Sequence, residues 1–344
     1  MKKNLFVRDV KPDNRVDSLF LIENADLKTG KKGKYLTCTL SDSTGKIPCK
    51  IWGRYNGGDQ EIEYIYKSLF ENAGCVFRIS GKADSYNEEI YVSINEGIEY
   101  LKNPAESKGI NEGDFLFSPA DIEGNKKEIL HLSESISDEG LRNIVISVLK
   151  KTDGFFEKPA AKSKHHDYPG GLCEHTLEVA KISVSISEGI SGSNLNRDIL
   201  IAGAILHDIG KCMNFDRKGL SFQANSLYSL LGHITPALQM LSRYEAFTDK
   251  ETFGELMHII QSHHGDYGDI RPQTPEAWAV HFADNISATI HEVKSDLEQV
   301  PKGTSTWGKR IEGYVYKSAN EPKERATPKP QKHIPNQKSI NQFF

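Results

Sequence analysis

The chain has 344 residues, 38% of them apolar, with 43 Lys and Arg against 47 Asp and Glu for a formal net charge of −4. It is long enough for two domains and too short for three of ordinary size, and its charge excludes a global basic field, so a nucleic-acid surface has to be a local patch. No run approaches the ~20 apolar residues of a membrane helix, charges interrupt the N-terminus before a secretory core forms, and the cysteines show no CxxC spacing that would indicate a thiolate zinc site. A cytoplasmic protein is expected.

From residue 16 to 100 the apolar pattern is short and alternating. Residues 35–40 set Leu36, Cys38 and Leu40 on one face; after a turn at 41–45, residues 46–52 set Ile47, Cys49 and Ile51 inside. Residues 60–70 read as a helix. Residues 75–80 and 89–94 read as further strands, with Ile90, Val92 and Ile94 inward and Tyr91 outward. Strands, one helix, then strands within residues 1–101 predict a small all-β barrel of the OB type. Residues 102–117, with Pro104, read as a linker.

From residue 118 the period turns helical, over 172–186, 197–209, 227–241, 253–262 and 275–297, which predicts an all-α domain reaching to 316. Residues 317–336 carry Pro322, Pro328, Pro330 and Pro335 with no core between them and read as a disordered tether. A small apolar cluster follows at 337–344. The expected fold class is therefore multidomain: a barrel, a helical domain and a disordered tail.

The chemistry-bearing residues lie in the helical part. His175 stands early in one helix, His207 and Asp208 follow the apolar run 199–206 just before Gly210, and His233 follows Gly232. His263 and His264 end another helix, and Asp284 lies inside an otherwise apolar one. An unpaired carboxylate on an apolar face is expensive to bury, and a metal ion relieves that expense. One such histidine is usually a satisfied core residue, but a set spread over successive helices is poorly explained that way. Imidazole and carboxylate donors without thiolates suit Mn²⁺ first, with Fe²⁺, Mg²⁺ and Zn²⁺ also fitting the set.

The order His175, His207–Asp208, Asp284 resembles the H…HD…D pattern of the HD-domain metal-dependent phosphohydrolases, and Leu206-His207-Asp208-Ile209-Gly210-Lys211 is among its most specific strings. Within that superfamily, Lys158-Pro159-Ala160-Ala161-Lys162, His165-His166, Gly170-Gly171-Leu172 and His175 are similar to the YhaM-type 3′→5′ exoribonucleases, which also carry an OB barrel before the HD domain. The resemblance implies a hydrolase with two divalent ions. His175, His207, Asp208 and Asp284 would hold one, and Asp208 would bridge to a second held by His233 and His263, the latter chosen over His264. Two such ions acidify a water and offset charge on the phosphoryl oxygens. Lys211 is expected to place a cation on the scissile phosphate, and His166 to contact the substrate or leaving group.

On the barrel, Tyr35, Lys46, Lys50 and Trp52 face outward on adjacent strands and Tyr91 joins them, while Lys28, Lys31, Lys32 and Lys34 fall before the second strand, where a loop is expected. Bases stack on such rings while lysines follow phosphates, without reading sequence. A single strand of DNA or RNA is the expected partner. At the end of the chain, Gln337, Ile340, Phe343 and Phe344 match a pattern that resembles the PIP box of proteins binding the sliding clamp PCNA. Ile340, Phe343 and Phe344 fall at i, i+3 and i+4, one helical turn. This implies recruitment to PCNA in replication or repair, in an archaeal cell or a eukaryotic nucleus.

The reading is a metal-dependent 3′→5′ exonuclease on single-stranded DNA, RNA or both. Two others compete: an HD-type nucleotide or alarmone phosphohydrolase whose barrel serves assembly, and a non-catalytic single-strand-binding scaffold. The full ligand set speaks against the scaffold, and the lysine–aromatic face against the small-molecule enzyme.

Overall fold

The computed structural model describes residues 2–320 except 32, 54–57, 87–88, 107–109, 163–165, 193, 299 and 309–310. His165, the tether from residue 321 and the motif residues Gln337, Ile340, Phe343 and Phe344 lie outside the described residues.

Strands β1 (Arg15–Gly30), β2 (Gly33–Asp42), β3 (Gly45–Trp52), β4 (Val76–Tyr86) and β5 (Glu89–Ile94) close a barrel in the order β1-β2-β3-β5-β4, and α1 (Gly58–Glu71) connects β3 to β4. The expected alternation sets the register: Leu36 pairs with Ile51, Cys38 with Cys49 and Leu40 with Ile47, and all six are buried. Strand β1 serves two neighbours, β4 through residues 15–21 and β2 through 21–30, with an irregularity between Glu23 and Asp26 that bends it as a bulge does. Helix α1 adds Ile62, Ile65 and Leu69 to the same core. Lys28 and Lys34 belong to β1 and β2, not to a loop, because the hairpin runs on to Gly30 and Gly33. Both are ion-paired, with Asp26 and Glu63.

The segment expected to be a linker packs on the barrel. Ala105 N donates to Val76 O at 2.8 Å, and Phe115 is buried with Leu19, Leu21 and Val76. The N-terminal arm does the same, burying Lys3 beside Asp42 at 2.9 Å.

Helices α2 (Ile122–Glu134), α3 (Glu139–Lys151), α4 (Gly171–Gly189), α5 (Arg197–Leu206), α6 (Ser226–Leu230), α7 (Ile234–Leu241), α8 (Lys250–Ser262) and α9 (Pro275–Leu297) build the second domain. Most begin where the sequence offers a cap: Asp138, Asn196, Asn225 and Asp249 accept backbone N–H groups of α3, α5, α6 and α8, and Thr274 caps α9 ahead of Pro275. Helix α5 is buried from Ile199 to Leu206, and α3, α4, α8 and α9 pack around it.

Two expectations change here. Residues 227–241 form two helices, because the chain turns at 231–233 and makes His233 the cap of α7. The helical domain also carries two short hairpins, β6 (Phe215–Lys218) with β7 (Ser221–Ala224), and β8 (Thr304–Gly308) with β9 (Gly313–Lys317). The β6–β7 hairpin reaches the barrel: Leu220 N donates to Gly74 O at 2.9 Å. Beside it a cleft of about 400 Å³ opens between the domains, lined by Glu23, Lys46, Tyr66, Phe70, Tyr168 and Phe222 among others. Among the described residues no helix is long and apolar enough to cross a membrane.

Candidate metal centre

Five helix segments deliver the ionisable residues to one place. His175 lies in the first turns of α4, His207 caps the end of α5, and Asp208 opens the tight turn Ile209–Met213. His233 caps α7, His263 ends α8, and Asp284 stands midway along α9. Gly210 permits this crowding, since a Cβ there would lie 1.9 Å from His233 O.

The hydrogen bonds around the rings fix their protons. His207 Nδ1 lies 2.8 Å from Ala204 O, and His263 Nδ1 lies 2.7 Å from Ile260 O. A carbonyl only accepts, so both Nδ1 atoms donate and both Nε2 atoms keep a lone pair. For His175 the logic takes one more step. Ser287 Oγ gives its hydrogen to Glu178 Oε2 at 2.6 Å, so it accepts from His175 Nδ1 at 3.1 Å.

Asp208 stands where the Nε2 atoms converge. Its Oδ2 lies 3.4 Å from His175 Nε2, 3.3 Å from His207 Nε2 and 2.6 Å from Lys211 Nζ. Its Oδ1 lies 3.1 Å from His233 Nε2 and 3.8 Å from His263 Nε2, yet it is buried and accepts no hydrogen bond among the described residues. Asp284 Oδ1 adds a second carboxylate 3.1 Å from His175 Nε2.

These contacts form two donor groups, His175–His207–Asp208 and His233–His263–His264, with ligand atoms within 4.8 Å of one another in each. The two oxygens of Asp208 join them. Nε2 atoms face each other at 3.4 Å between His175 and His207, and at 3.3 Å between His233 and His263. Facing lone pairs repel unless a cation or proton stands between them, so the donor set fits divalent metal.

Electrostatics agree. Burial lowers His233 to about 3 and holds His263 well below the usual imidazole range, which leaves both neutral. Burial would lower His175 as well, but the carboxylates of Asp208 and Asp284 outweigh it and push it up to about 9. The field that holds a proton there would hold a metal cation. Burial opposes the charge on both carboxylates, but Lys211 and His207 keep Asp208 well below the usual range, and His175 does so for Asp284.

The HD-domain family model matches residues 172–289, an interval that runs from His175 past Asp284. The 3′-5′ exoribonuclease YhaM of Bacillus subtilis (strain 168) is 28% identical over 319 residues, covering 89% of this chain and 94% of that protein. Its namesake in Shouchella clausii (strain KSM-K16) is 29% identical over 309 residues, covering 86% and 91%. The dihydroneopterin 2′,3′-cyclic phosphate phosphodiesterase of Methanocaldococcus jannaschii is 36% identical over 182 residues, covering 48% of this chain and 70% of that protein. The chain belongs to the HD-domain family. It is a hydrolase that depends on divalent metal.

The HD centre gathers every ligand expected from the sequence: His175, His207, Asp208, His233, His263 and Asp284. It also gathers His264, whose ring lies 4.3 Å from that of His263 and 4.9 Å from that of His233, centre to centre. Lys211 is bound to Asp208 Oδ2 rather than held clear for a phosphate. His166 is buried near the HD centre, its ring 5.3 Å from that of His175, and burial pushes it down to about 4.

Four polar neighbours escaped sequence reading: Glu178, His281, Ser287 and His291. His281 Nδ1 lies 2.7 Å from His263 O, and Ser287 orients His175. Helical spacing was the available signal, since Glu178 is three residues past His175, and Ser287 and His291 are three and seven past Asp284.

On the barrel, Tyr35 and Trp52 are cross-strand partners with rings stacked at 4.8 Å. Lys50 Nζ stands 4.9 Å from the centre of the Tyr91 ring. Lys46, at the other end of β3, pairs with Glu23 at 3.0 Å and borders the interdomain cleft. The expected surface residues thus form a line along β3 from an aromatic stack to the cleft.

Proposed function

We propose that this chain is a metal-dependent 3′→5′ exonuclease that shortens single-stranded nucleic acid, RNA or DNA, at the HD centre while the strand lies along the outer face of β3. The observation that carries the reading is that similar exoribonucleases cover the barrel and the HD domain together, in the same order. The polarity rests on those relatives. RNA follows from their names, and single-stranded DNA shares the chemistry the barrel face can grip.

His175, His207, Asp208 and Asp284 would hold one ion, and His233, His263 and the other oxygen of Asp208 a second, with Mn²⁺ the first candidate. Ions held there would supply Lewis acidity to the phosphodiester and acidify the attacking water. The protein's own groups prepare the site. Asp208 links the two donor groups and keeps its charge; Ser287 and the carbonyls of Ala204 and Ile260 keep three Nε2 lone pairs turned inward. Lys211 steadies Asp208 Oδ2. On the barrel, Tyr35 and Trp52 offer a stacking platform, and Lys50 and Lys46 offer cations to the phosphates that follow.

Matched RNA and DNA oligonucleotides labelled at the 5′ end and incubated with Mn²⁺ test this. A ladder of stepwise shorter products is expected, and none with Asp208→Ala. The M. jannaschii relative, similar over about half of this chain, supports a second reading in which a small cyclic phosphodiester is the substrate. Hydrolysis of 2′,3′-cyclic nucleotides with oligonucleotides left intact would select that reading, and binding without cleavage of either would select a scaffold. For the tail we propose docking of Gln337, Ile340, Phe343 and Phe344 on PCNA. Deleting residues 337–344 should then abolish clamp binding in calorimetry and leave cleavage unchanged; undiminished binding after deletion, or none by the full chain, sinks that part alone.

A further inference from the structure

His166, Glu178 and His291 form another donor group, and none of the three belongs to the six-residue ligand set of the HD centre. Each contributes one donor atom, and these atoms all lie within 4.8 Å of one another. Glu178 Oε2 is 3.5 Å from His166 Nε2, and Glu178 Oε1 is 3.0 Å from His291 Nε2. The two imidazole rings are 3.8 Å apart, centre to centre.

Separate parts of the chain converge to make this group. Helix α4 presents Glu178 one turn after His175, and α9 presents His291 two turns after Asp284. His166 comes from the loop before α4 and is held there at a cost. Its φ is +55°, a region that costs a non-glycine residue about 1–2 kcal/mol. Its carbonyl accepts from Ala160 N at 3.0 Å and passes so close to Gly171 that a Cβ there would lie 2.2 Å away. A strained, closely packed loop therefore delivers an imidazole that is only 2% exposed to a carboxylate and a second imidazole. Backbone strain of this kind concentrates at functional sites.

We propose that His166, Glu178 and His291 bind a divalent metal ion of their own, beside the ions of the HD centre. Two imidazoles and one carboxylate suit Mn²⁺, Fe²⁺ or Zn²⁺. The side chains of Glu178 and His291 remain 34% and 23% exposed, so coordination positions stay open to water or to a phosphate oxygen. Ser287 couples this site to the HD centre, because its Oγ binds Glu178 Oε2 on one side and His175 Nδ1 on the other. The inference rests on the HD reading for its setting but not for its ligands.

The test is metal content. Full-length protein stripped with chelator, reloaded with Mn²⁺ or Zn²⁺ alone and desalted is assayed for metal per chain by plasma mass spectrometry. Wild type is expected to retain one equivalent more than Glu178→Gln or His291→Ala, while Asp208→Ala loses the ions of the HD centre and keeps this one. Glu178→Gln retains an oxygen to accept from Ser287, and His291→Ala leaves that link untouched, so His175 stays oriented in both. Equal metal in wild type and both variants overturns the proposal and leaves the HD reading standing. Loss of all metal in His291→Ala also overturns it, by assigning the cluster to the HD centre. Undiminished metal in Asp208→Ala strikes the HD reading instead. Circular dichroism establishes that each variant folds, and either one suffices for the comparison.

Discussion

Two aspartates, one in each domain, are buried almost completely, Asp42 at 0% and Asp208 at 2% exposure, and their surroundings treat them in opposite ways. Asp42 is fully answered. Its Oδ2 accepts from Lys3 Nζ at 2.9 Å and Val7 N at 2.8 Å, and its Oδ1 from Thr44 N at 2.8 Å and Thr44 Oγ1 at 2.6 Å. Lys3 in turn donates to Leu5 O and Leu19 O and stands 3.8 Å from the centre of the Phe20 ring. Burial lowers the pKa of Lys3, and Asp42 offsets part of that loss. Asp208 accepts no hydrogen bond on one oxygen among the described residues and is ringed by imidazoles whose Nε2 atoms converge on it. A buried charge is therefore no mark of function by itself. A buried carboxylate surrounded by further acceptors is, because only an added cation satisfies them together.

The largest effect expected from breaking this contrast is at Asp208. Asp208→Ala should reduce oligonucleotide cleavage by at least a thousandfold, about 4 kcal/mol of transition-state stabilisation, and remove the ions of the HD centre together with the activity. Cleavage within tenfold of wild type would refute the bridging role. At Asp42 the damage should fall on the fold instead. Lys3→Ala strands a buried carboxylate and should destabilise the barrel by about 3–5 kcal/mol in urea unfolding, whereas Lys3→Met with Asp42→Asn should recover part of it.

Metal addition sharpens the same comparison. Mn²⁺ at 100 times its Kd should stabilise wild type by about 2.7 kcal/mol. The gain should persist in Lys3→Ala and fall in Asp208→Ala to the part that the His166, Glu178 and His291 site supplies; an equal gain in all three proteins would mean that no ion binds at the HD centre. Ser287→Ala should weaken Mn²⁺ binding by about 10–100-fold, since an outer hydrogen bond orients His175, and unchanged affinity in calorimetry would remove Ser287 from the site. The smallest effect belongs to the barrel surface. Trp52→Ala with Tyr35→Ala should cost about 1–3 kcal/mol per stacked base in binding a long strand and leave a dinucleotide substrate unaffected. Equal slowing of both substrates would separate β3 from the strand path.

The sequence shows some parts of this arrangement and hides others for physical reasons. The bounds of α9 are legible because Thr274 and Pro275 form a start signal and Asp284 is conspicuous among apolar neighbours. The barrel is legible because Leu36, Cys38 and Leu40 alternate against Ile47, Cys49 and Ile51. The break at residues 231–233 is hidden, because apolar residues on both sides of it keep a helical period. Hairpins β6–β7 and β8–β9 are hidden because strands of four or five residues are too short to show alternation. At the HD centre the ligands stand out as ionisable groups in apolar runs. Their supporters do not: Ser287 and Glu178 are ordinary helix residues until α4 and α9 are packed together.

The β6–β7 hairpin begins just after the turn that carries Asp208 and Lys211, and it closes on the barrel through Leu220, which packs with Leu19, Leu21, Val76 and Phe115. The aromatic stack across β2 and β3 and the HD centre are thereby tied together, like the jaws of a gauge. If the strand follows the path proposed for it, a chain long enough to bridge the jaws is gripped twice and a shorter one only once. The length at which digestion slows would then be a constant of the protein, written in its backbone and indifferent to the sequence being consumed.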